Sequence, residues 1–399
     1  MIFRKVLNDT EALEAYKVSA VAFEYSFDIS KAEEYINEAR HRYSKYPGCL
    51  VAAFEDDGTL IGSIAPLPMN FYFDGNVVKG NGIGHVTTLP HKRNQGVIRG
   101  CFQKAYEIMK ENGEELSYLY PFNRAYYKMF GYELNGPSIL WTIPIENFKD
   151  KGSDYNIKLI DINKEYDLCT RVYEKVAQNY NLALEREEVD WKWLTKGDIY
   201  KEAQYTYVVF DKQGEPSAYF SYKKNENTMK INDIEAFFST KESLIETFDF
   251  IKRSFHANFK NISIKLPSEI PLEYIIENTT GISRELMFCG MVRVIDAEKI
   301  LIKVKPKTAG EVILKINDKM CPWNNATFQC CFSDKKMTSV TKVEKEADIE
   351  MDISDFSAFI SGGVTEEKLM YATTVKINSN LESIQKLFYA KKTNCFNYF

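Results

Sequence analysis

The sequence predicts a multidomain protein of mixed α/β and α+β class, and three observations point there. A chain of 399 residues with 45% hydrophobic and 14% aromatic content is long enough to bury several cores. The apolar residues switch repeatedly between the period of a strand and the period of a helix. The order hairpin, strand, helix, strand occurs twice before the texture turns strand-rich. Three units are expected: residues 1–150, 151–285 and 286–399.

In the first unit, residues 12–23 carry apolar side chains at helical spacing. Residues 50–54 and 60–64 flank Asp56-Asp57-Gly58-Thr59, a turn rich in residues that tolerate positive φ. Phe71-Tyr72-Phe73 and a run from Val77 repeat the device around Asp74-Gly75-Asn76, and the second arm continues as a longer strand to Thr88. Val97, Ile98, Cys101, Phe102, Ala105, Ile108 and Met109 fall on one helical face that ends at Asn112-Gly113, a C-cap signal. A short strand at 117–120 stops at Pro121, and a short helix at 124–129 is closed by Gly131. The second unit repeats the pattern without repeating the identities. Hairpin arms at 205–210 and 217–222 are followed by a strand at 231–237, a helix striped by Leu244, Phe248, Ile251 and Phe255, and a strand at 262–266. Where the first unit has Arg93-Asn94-Gln95-Gly96 between strand and helix, the second has Ser239-Thr240-Lys241-Glu242, a plain capping sequence without glycine. The third unit has strands at 291–295, 312–316, 327–332 and 348–353, with helices near Phe356 and Leu381.

Composition removes several function classes. Lys and Arg number 51 against 56 Asp and Glu, a net charge of -5 with no long basic block, which argues against a nucleic-acid partner held through phosphates. No apolar run approaches the roughly 18 residues of a membrane span, and the charged start lacks a leader's apolar core; a soluble, cytoplasmic protein with no membrane partner is expected. Eight cysteines are scattered without a CxxC pair or a histidine at ligand spacing, so reduced structural thiols and no metal are expected.

The strongest local signal is the run from Val86 through Thr88, Arg93, Asn94, Gln95, Gly96, Val97, Ile98 and Arg99, which joins a strand directly to a helix. A glycine at a helix start exposes unpaired N–H groups and a positive dipole end, and Lys92, Arg93 and Arg99 add charge, together suiting a pyrophosphate. A solvated basic loop before an ordinary cap fits the same residues. No Gly-Lys-Ser/Thr follows and three spaced glycines are absent, so it is neither of the common nucleotide loops.

Arg93-x-x-Gly96-x-Ile98 resembles the pyrophosphate loop of GNAT N-acetyltransferases, with Ile98 in place of the usual small residue. Gly96-Val97-Ile98-Arg99 is similar to the Gly-Leu-Leu-Arg type of the Eis (enhanced intracellular survival) branch. Tyr126-Tyr127-Lys128-Met129-Phe130-Gly131-Tyr132 resembles that branch's Tyr-x-x-Phe-Gly-Tyr element, and the sequence stops at an aromatic residue, Phe399, as Eis proteins do. Asn317-Asp318-x-x-Cys321-Pro322-Trp323-Asn324 and Asp352-Ile353-Ser354-Asp355-Phe356 match features of the family's last unit. The resemblance implies two tandem GNAT-like units, the second lacking the coenzyme loop, followed by a sterol-carrier-protein-like α+β unit.

It also implies acetyl-CoA as cosubstrate and direct acetyl transfer to a small-molecule or lysine amine, aminoglycosides and polyamines among the acceptors. Assembly into a homo-oligomer is implied, a hexamer being the candidate. By carry-over, Val86 and Thr88 offer main-chain groups to the pantetheine arm and thioester, and Asn94 through Arg99 hold the diphosphate. Tyr127 protonates the departing thiolate, and the α-carboxylate of Phe399 takes the amine proton. His85 and the trio Glu24, Tyr25 and Asp28 are candidates for lining the acceptor pocket. Asp348, Asp352 and Asp355 suggest a metal cluster at first sight, but no calcium-loop spacing is present and a solvated strand edge is expected. A non-catalytic CoA or acyl-CoA sensor, or a ligand-binding protein, is the rival class; it could discard Tyr127 and the terminal carboxylate.

Overall fold

In the computed structural model, which describes residues 1–43, 46–149, 152, 156–194, 199–363 and 366–397, the first part of the chain builds a sheet around one long ribbon. Its elements are β1 (Ile2–Lys5), α1 (Asp9–Phe23), α2 (Ala32–Arg42), β2 (Val51–Phe54), β3 (Leu60–Phe73), β4 (Asn76–Thr88), α3 (Val97–Glu111), β5 (Leu116–Leu119) and α4 (Arg124–Lys128). Strands β1 to β4 are antiparallel neighbours in chain order, and β5 joins β4 in parallel. Successive side chains of a strand face opposite ways, and β2 shows the consequence. Val51 and Ala53 pack with α3 residues Ile98, Cys101, Phe102 and Ala105, while Ala52 and Phe54 pack with α1 residues Ala12, Ala15 and Val18. The helical stripe expected for α3 is thus its buried face.

The two hairpins expected from sequence share one uninterrupted strand. Pro66 and Pro68 suggest a break, yet both lie inside β3, paired with Ile83 and Asn81 of β4. Tyr72 exchanges main-chain hydrogen bonds with residues 182 and 183, and Asn70 O accepts from Glu185 N, so even-numbered residues here direct their main-chain groups away from β4. Pro66 and Pro68 share that parity. Their missing N–H groups fall beyond the last β2 pairing at Ile64 and remove nothing from the β3–β4 ladder.

Residues 1–135, 181–185 and 290–399 form one compact unit. Within it, residues 291–294 pair antiparallel with β5, from Met291 opposite Leu119 to Val294 opposite Leu116. A second, five-stranded sheet follows in the order Lys336–Lys342, Ala326–Ser333, Gly310–Asn317, Ile349–Asp352, Lys376–Ile377. Val312, Leu314 and Ile316 face its core with Phe328, Cys330 and Phe332, against helices Ala297–Lys303, Ile353–Ile360 and Leu381–Leu387. The aspartates do not form the solvated edge expected. Asp348 accepts from Ile313 N at 2.8 Å, and Asp355 is buried against Thr374 and Lys128. Among the described residues no group of three or more His, Cys, Asp or Glu is placed to hold a metal.

Residues 136–180 and 186–289 form the other unit. Its strands run from residues 138–144 through Asn261–Pro267, Thr228–Phe238, Pro216–Asn225 and Gln204–Phe210 to Asn156–Ile160, with helices Ile162–Ala177 and Lys241–Phe255. Thr240 and Ser243 close a capping box on the second helix, so side chains of this unit satisfy the helix start. A buried Arg186–Glu235 ion pair at 2.8 Å, lying over the Tyr173 ring, was not legible in the sequence. No helix among the described residues is long and apolar enough to cross a membrane.

Candidate functional site

The site begins where two parallel strands part. Strand β5 pairs with β4 only from Gly80 to Ile83, whereas β3 follows β4 as far as Thr88. Between Ser63–Thr87 and Ala65–Gly84 the β3–β4 register shifts, with His85 at φ +48° in the extra residue. Leu89 N donates to Ile61 O at 3.0 Å, which fixes the alternation: Thr87 turns its main chain to β3, while Val86 and Thr88 turn theirs to the open side. The sequence expects main-chain groups of Val86 and Thr88 to serve a pantetheine arm and thioester; in the structure these groups face away from β3, beyond the last β5 pairing.

The loop after β4 leads straight into α3. Asn94 at φ +63° and Gly96 at φ +80° both take the left-handed conformation, which Asn and Gly adopt most readily. Gly96 caps α3 with no side-chain hydrogen bond, so the helix opens on N–H groups and a positive dipole end. A β-carbon at Gly96 would meet nothing within 4 Å. Val97 and Ile98 bury their side chains in the core and leave only main-chain groups for a ligand. The exposed Arg99 lies 3.8 Å from Met320 Sδ and over the Phe130 ring. Arg93 donates to Ala22 O at 3.3 Å, Gln95 Nε2 donates to His91 O at 3.1 Å, and Lys92 pairs with Glu55. An uncapped helix start with open space over its glycine and two accessible arginines fits a pyrophosphate.

Tyr127 sits in α4, a five-residue helix capped by Asn123, whose side chain accepts from Tyr126 N. It is 4% exposed and shares a core with Val97 and Ile98 of the α3 start. Phe122, Tyr126, Phe102 and Tyr132 surround its ring. Burial, with smaller contributions from the Tyr126 and Tyr132 hydroxyls, raises its pKa well above the ordinary tyrosine range. Tyr127 is therefore protonated throughout the neutral range.

On the opposite side of the bulge, His85 meets Tyr16 of α1 edge to face at 6.0 Å, and Tyr16 stacks on Phe27, which tilts against Tyr35 of α2. Sequence reasoning missed these three aromatics. The legible signal was Tyr16 and Tyr35, two aromatic residues with polar tips in the segments flanking Glu24 to Asp28. Of the expected trio, Glu24 ends α1 in the left-handed conformation, Tyr25 is 42% exposed, and Asp28 caps the following turn by accepting from Ser30 N. His85 is exposed, and the partial desolvation by its neighbours lowers its pKa below the ordinary value of about 6.5, an effect that solvent screening keeps small. The unfolded chain then binds the proton at a higher pH than the folded one. Stability from neutral His85 is fully present above about pH 6.5 and is lost as pH falls through the folded value. His85→Gln should flatten that acidic limb in a plot of Tm against pH; an unchanged slope would show that His85 does not titrate there.

The tail returns to the end of β5. Tyr120, one residue beyond β5, donates to the carbonyls of Cys395 and Asn397, both 4% exposed, and Thr393 Oγ1 donates to Asn135 at 2.6 Å. Phe399, expected as the base, lies outside the described residues.

Residues 5–135 match the Acetyltransferase (GNAT) domain family and residues 294–397 the Sterol carrier protein domain family. No protein with a curated description matches the chain in sequence. Solved structures match it end to end. A conserved protein from Enterococcus faecalis, named a probable N-acyltransferase, superposes with a TM-score of 0.85 at 19% identity, covering 100% of this chain and 99% of its own. A GCN5-related N-acetyltransferase from Anabaena variabilis gives 0.84 at 18% identity, and Eis1 from Mycobacterium abscessus 0.82 at 18%, each covering 100% of both chains.

Proposed function

We propose that this chain, whose residues 5–135 match the Acetyltransferase (GNAT) domain family and whose fold is similar to that of Eis1, transfers an acetyl group from acetyl-CoA directly to an amine acceptor. The observation that carries the reading is the meeting of three parts: the open edge of β4 at Val86 and Thr88, the uncapped start of α3 at Gly96, and Tyr127 in the core beneath them. The N–H groups of α3, with Arg93 and Arg99, hold the pyrophosphate. Main-chain groups of Val86 and Thr88 align the pantetheine arm and polarise the thioester carbonyl, where negative charge develops as nitrogen attacks. The C–N bond forms as the nitrogen gives up a proton to water, the C–S bond breaks, and the leaving thiolate accepts a hydrogen bond from the Tyr127 hydroxyl and ends as the protonated thiol. The amine enters past His85 and the Tyr16, Phe27 and Tyr35 rings, which suit an ammonium or an apolar stem.

Thiol release from acetyl-CoA across polyamines, aminoglycosides and lysine peptides tests the activity and sorts the acceptor; no release with any of them, alongside tight acetyl-CoA binding, favours the sensor class. Gly96→Trp tests the site. No described residue contacts a β-carbon there, so lost affinity reports blocked phosphate approach together with strain at φ +80°. Calorimetry should show acetyl-CoA affinity reduced at least ~10-fold, the loss of about one charge-assisted contact. Parent affinity in Gly96→Trp would place the coenzyme elsewhere.

A further inference from the structure

Tyr127 stands on a helix too short to be stable alone, so something outside α4 must set its place. Two side chains converge on the turn that follows it. Phe130 O accepts from Arg293 Nη1 at 2.7 Å and from Tyr106 Oη at 2.9 Å. The same turn is tied back to Tyr127, whose carbonyl accepts from Phe130 N at 3.0 Å and Tyr132 N at 3.3 Å. Gly131 takes φ +88° and presents no side chain, and a β-carbon there would collide with the Arg293 guanidinium. Arg293 is itself immobilised. Its Nη2 lies 2.9 Å from both carboxylate oxygens of Asp318 and 2.9 Å from Cys321 Sγ, and its guanidinium lies over the Tyr106 ring at 4.3 Å. Asp318 is held in turn by the N–H groups of Met320 and Cys321 and by Asn324 Nδ2. Asp318 and Cys321 lie in the segment that matches the carrier-protein family, whereas Tyr106 and Tyr127 lie in the acetyltransferase segment.

We propose that Arg293, fixed by Asp318 of the carrier-like segment, is a positioning residue for Tyr127: it sets the Phe130 carbonyl, and through it the depth at which the Tyr127 hydroxyl meets the sulfur. This rests on the reading of Tyr127 as the group that faces the leaving thiolate. It gives the carrier-like segment a part in acetyl transfer that needs no ligand of its own. Lysine at 293 keeps a charge for Asp318 but lacks the planar fork that serves Asp318 and Phe130 together. Phenylalanine at 106 keeps the ring and removes the second hydrogen bond to Phe130 O.

The test is a pair of mutant cycles on the full chain. Misplacing a reacting group by about 1 Å can cost up to ~10²-fold, so Arg293→Lys should lower kcat about 10-fold and Tyr106→Phe about 3-fold. KM for acetyl-CoA and its affinity by calorimetry should stay near the parent values. In a Tyr127→Phe background neither change should lower kcat further, because the group being positioned is gone. Equal losses with and without the Tyr127 hydroxyl would overturn the proposal, since a general loosening of the fold acts in both backgrounds. Should Arg293→Lys fail to fold, the Tyr106→Phe cycle decides by the same criterion. A parent-like kcat for Tyr127→Phe alone is a separate failure, of the role assigned to Tyr127.

Discussion

Replacing Tyr127 with phenylalanine should lower kcat by about 10²-fold, the usual span for removing a proton donor, with acetyl-CoA affinity near the parent value. The ring contacts with Phe102, Phe122 and Tyr126 survive the change, so core packing is kept. In the proposed role, what is lost is the hydroxyl assigned to the sulfur as its charge develops. The raised pKa decides how that hydroxyl works. A tyrosine above its ordinary range is a weaker acid than a thiol, whose reference pKa is about 8.5. In the proposed role its contribution to the nascent thiolate is thus chiefly a donated hydrogen bond. The sign of the shift also gives a pH prediction. Tyr127 stays protonated well past neutrality, so no falling limb of kcat below about pH 10 should belong to it. A parent-like kcat in Tyr127→Phe, with chemistry limiting turnover, would return Tyr127 to a packing role.

Local periodicity made the corner between β4 and α3 legible. The α3 stripe from Val97 to Met109 faces the sheet as its 3.6-residue period requires. The αL positions fall at Asn94 and Gly96, the two residues of that loop that tolerate them best. Burial across the chain was not legible. Val292-Arg293-Val294 reads as a strand with one polar face, and nothing local says that the arginine faces inward to a carboxylate from the loop after Gly310–Asn317. Asp355 misled for the same reason: beside Asp352 it suggests a wet edge, whereas the fold closes Thr374 and Lys128 over it. The single β3 strand was hidden by Pro66 and Pro68, because the side to which a missing N–H points is set by pairing and not by composition.

The largest stability effect is expected at Asp318. Asp318 and Arg293 side chains are wholly buried. Burial works against the Arg293 charge, but the adjoining carboxylate outweighs it and holds the guanidinium pKa above its ordinary value. Asp318→Ala removes that compensation and also the acceptor for Met320 N, Cys321 N and Asn324 Nδ2. Breaking a buried pair by deleting one partner costs about 3–5 kcal/mol, because the other charge stays behind unpaired. Arg293 already has one buried nitrogen, Nε, without a partner, so the guanidinium has little to fall back on. Denaturant unfolding of the compact unit holding both residues should shift by that amount, and a parent-like midpoint would mean that water reaches the pair. Replacing both partners, Asp318→Ala with Arg293→Met, should recover the part of the loss that comes from the unpaired charge, while Met320 N and Cys321 N still lack the acceptor that Asp318 gave them. The double variant still leaves the Phe130 carbonyl without its Arg293 donor. If Arg293 acts on Tyr127 as proposed, the melting point should return toward the parent while kcat stays depressed, which separates holding the fold together from placing the proton donor.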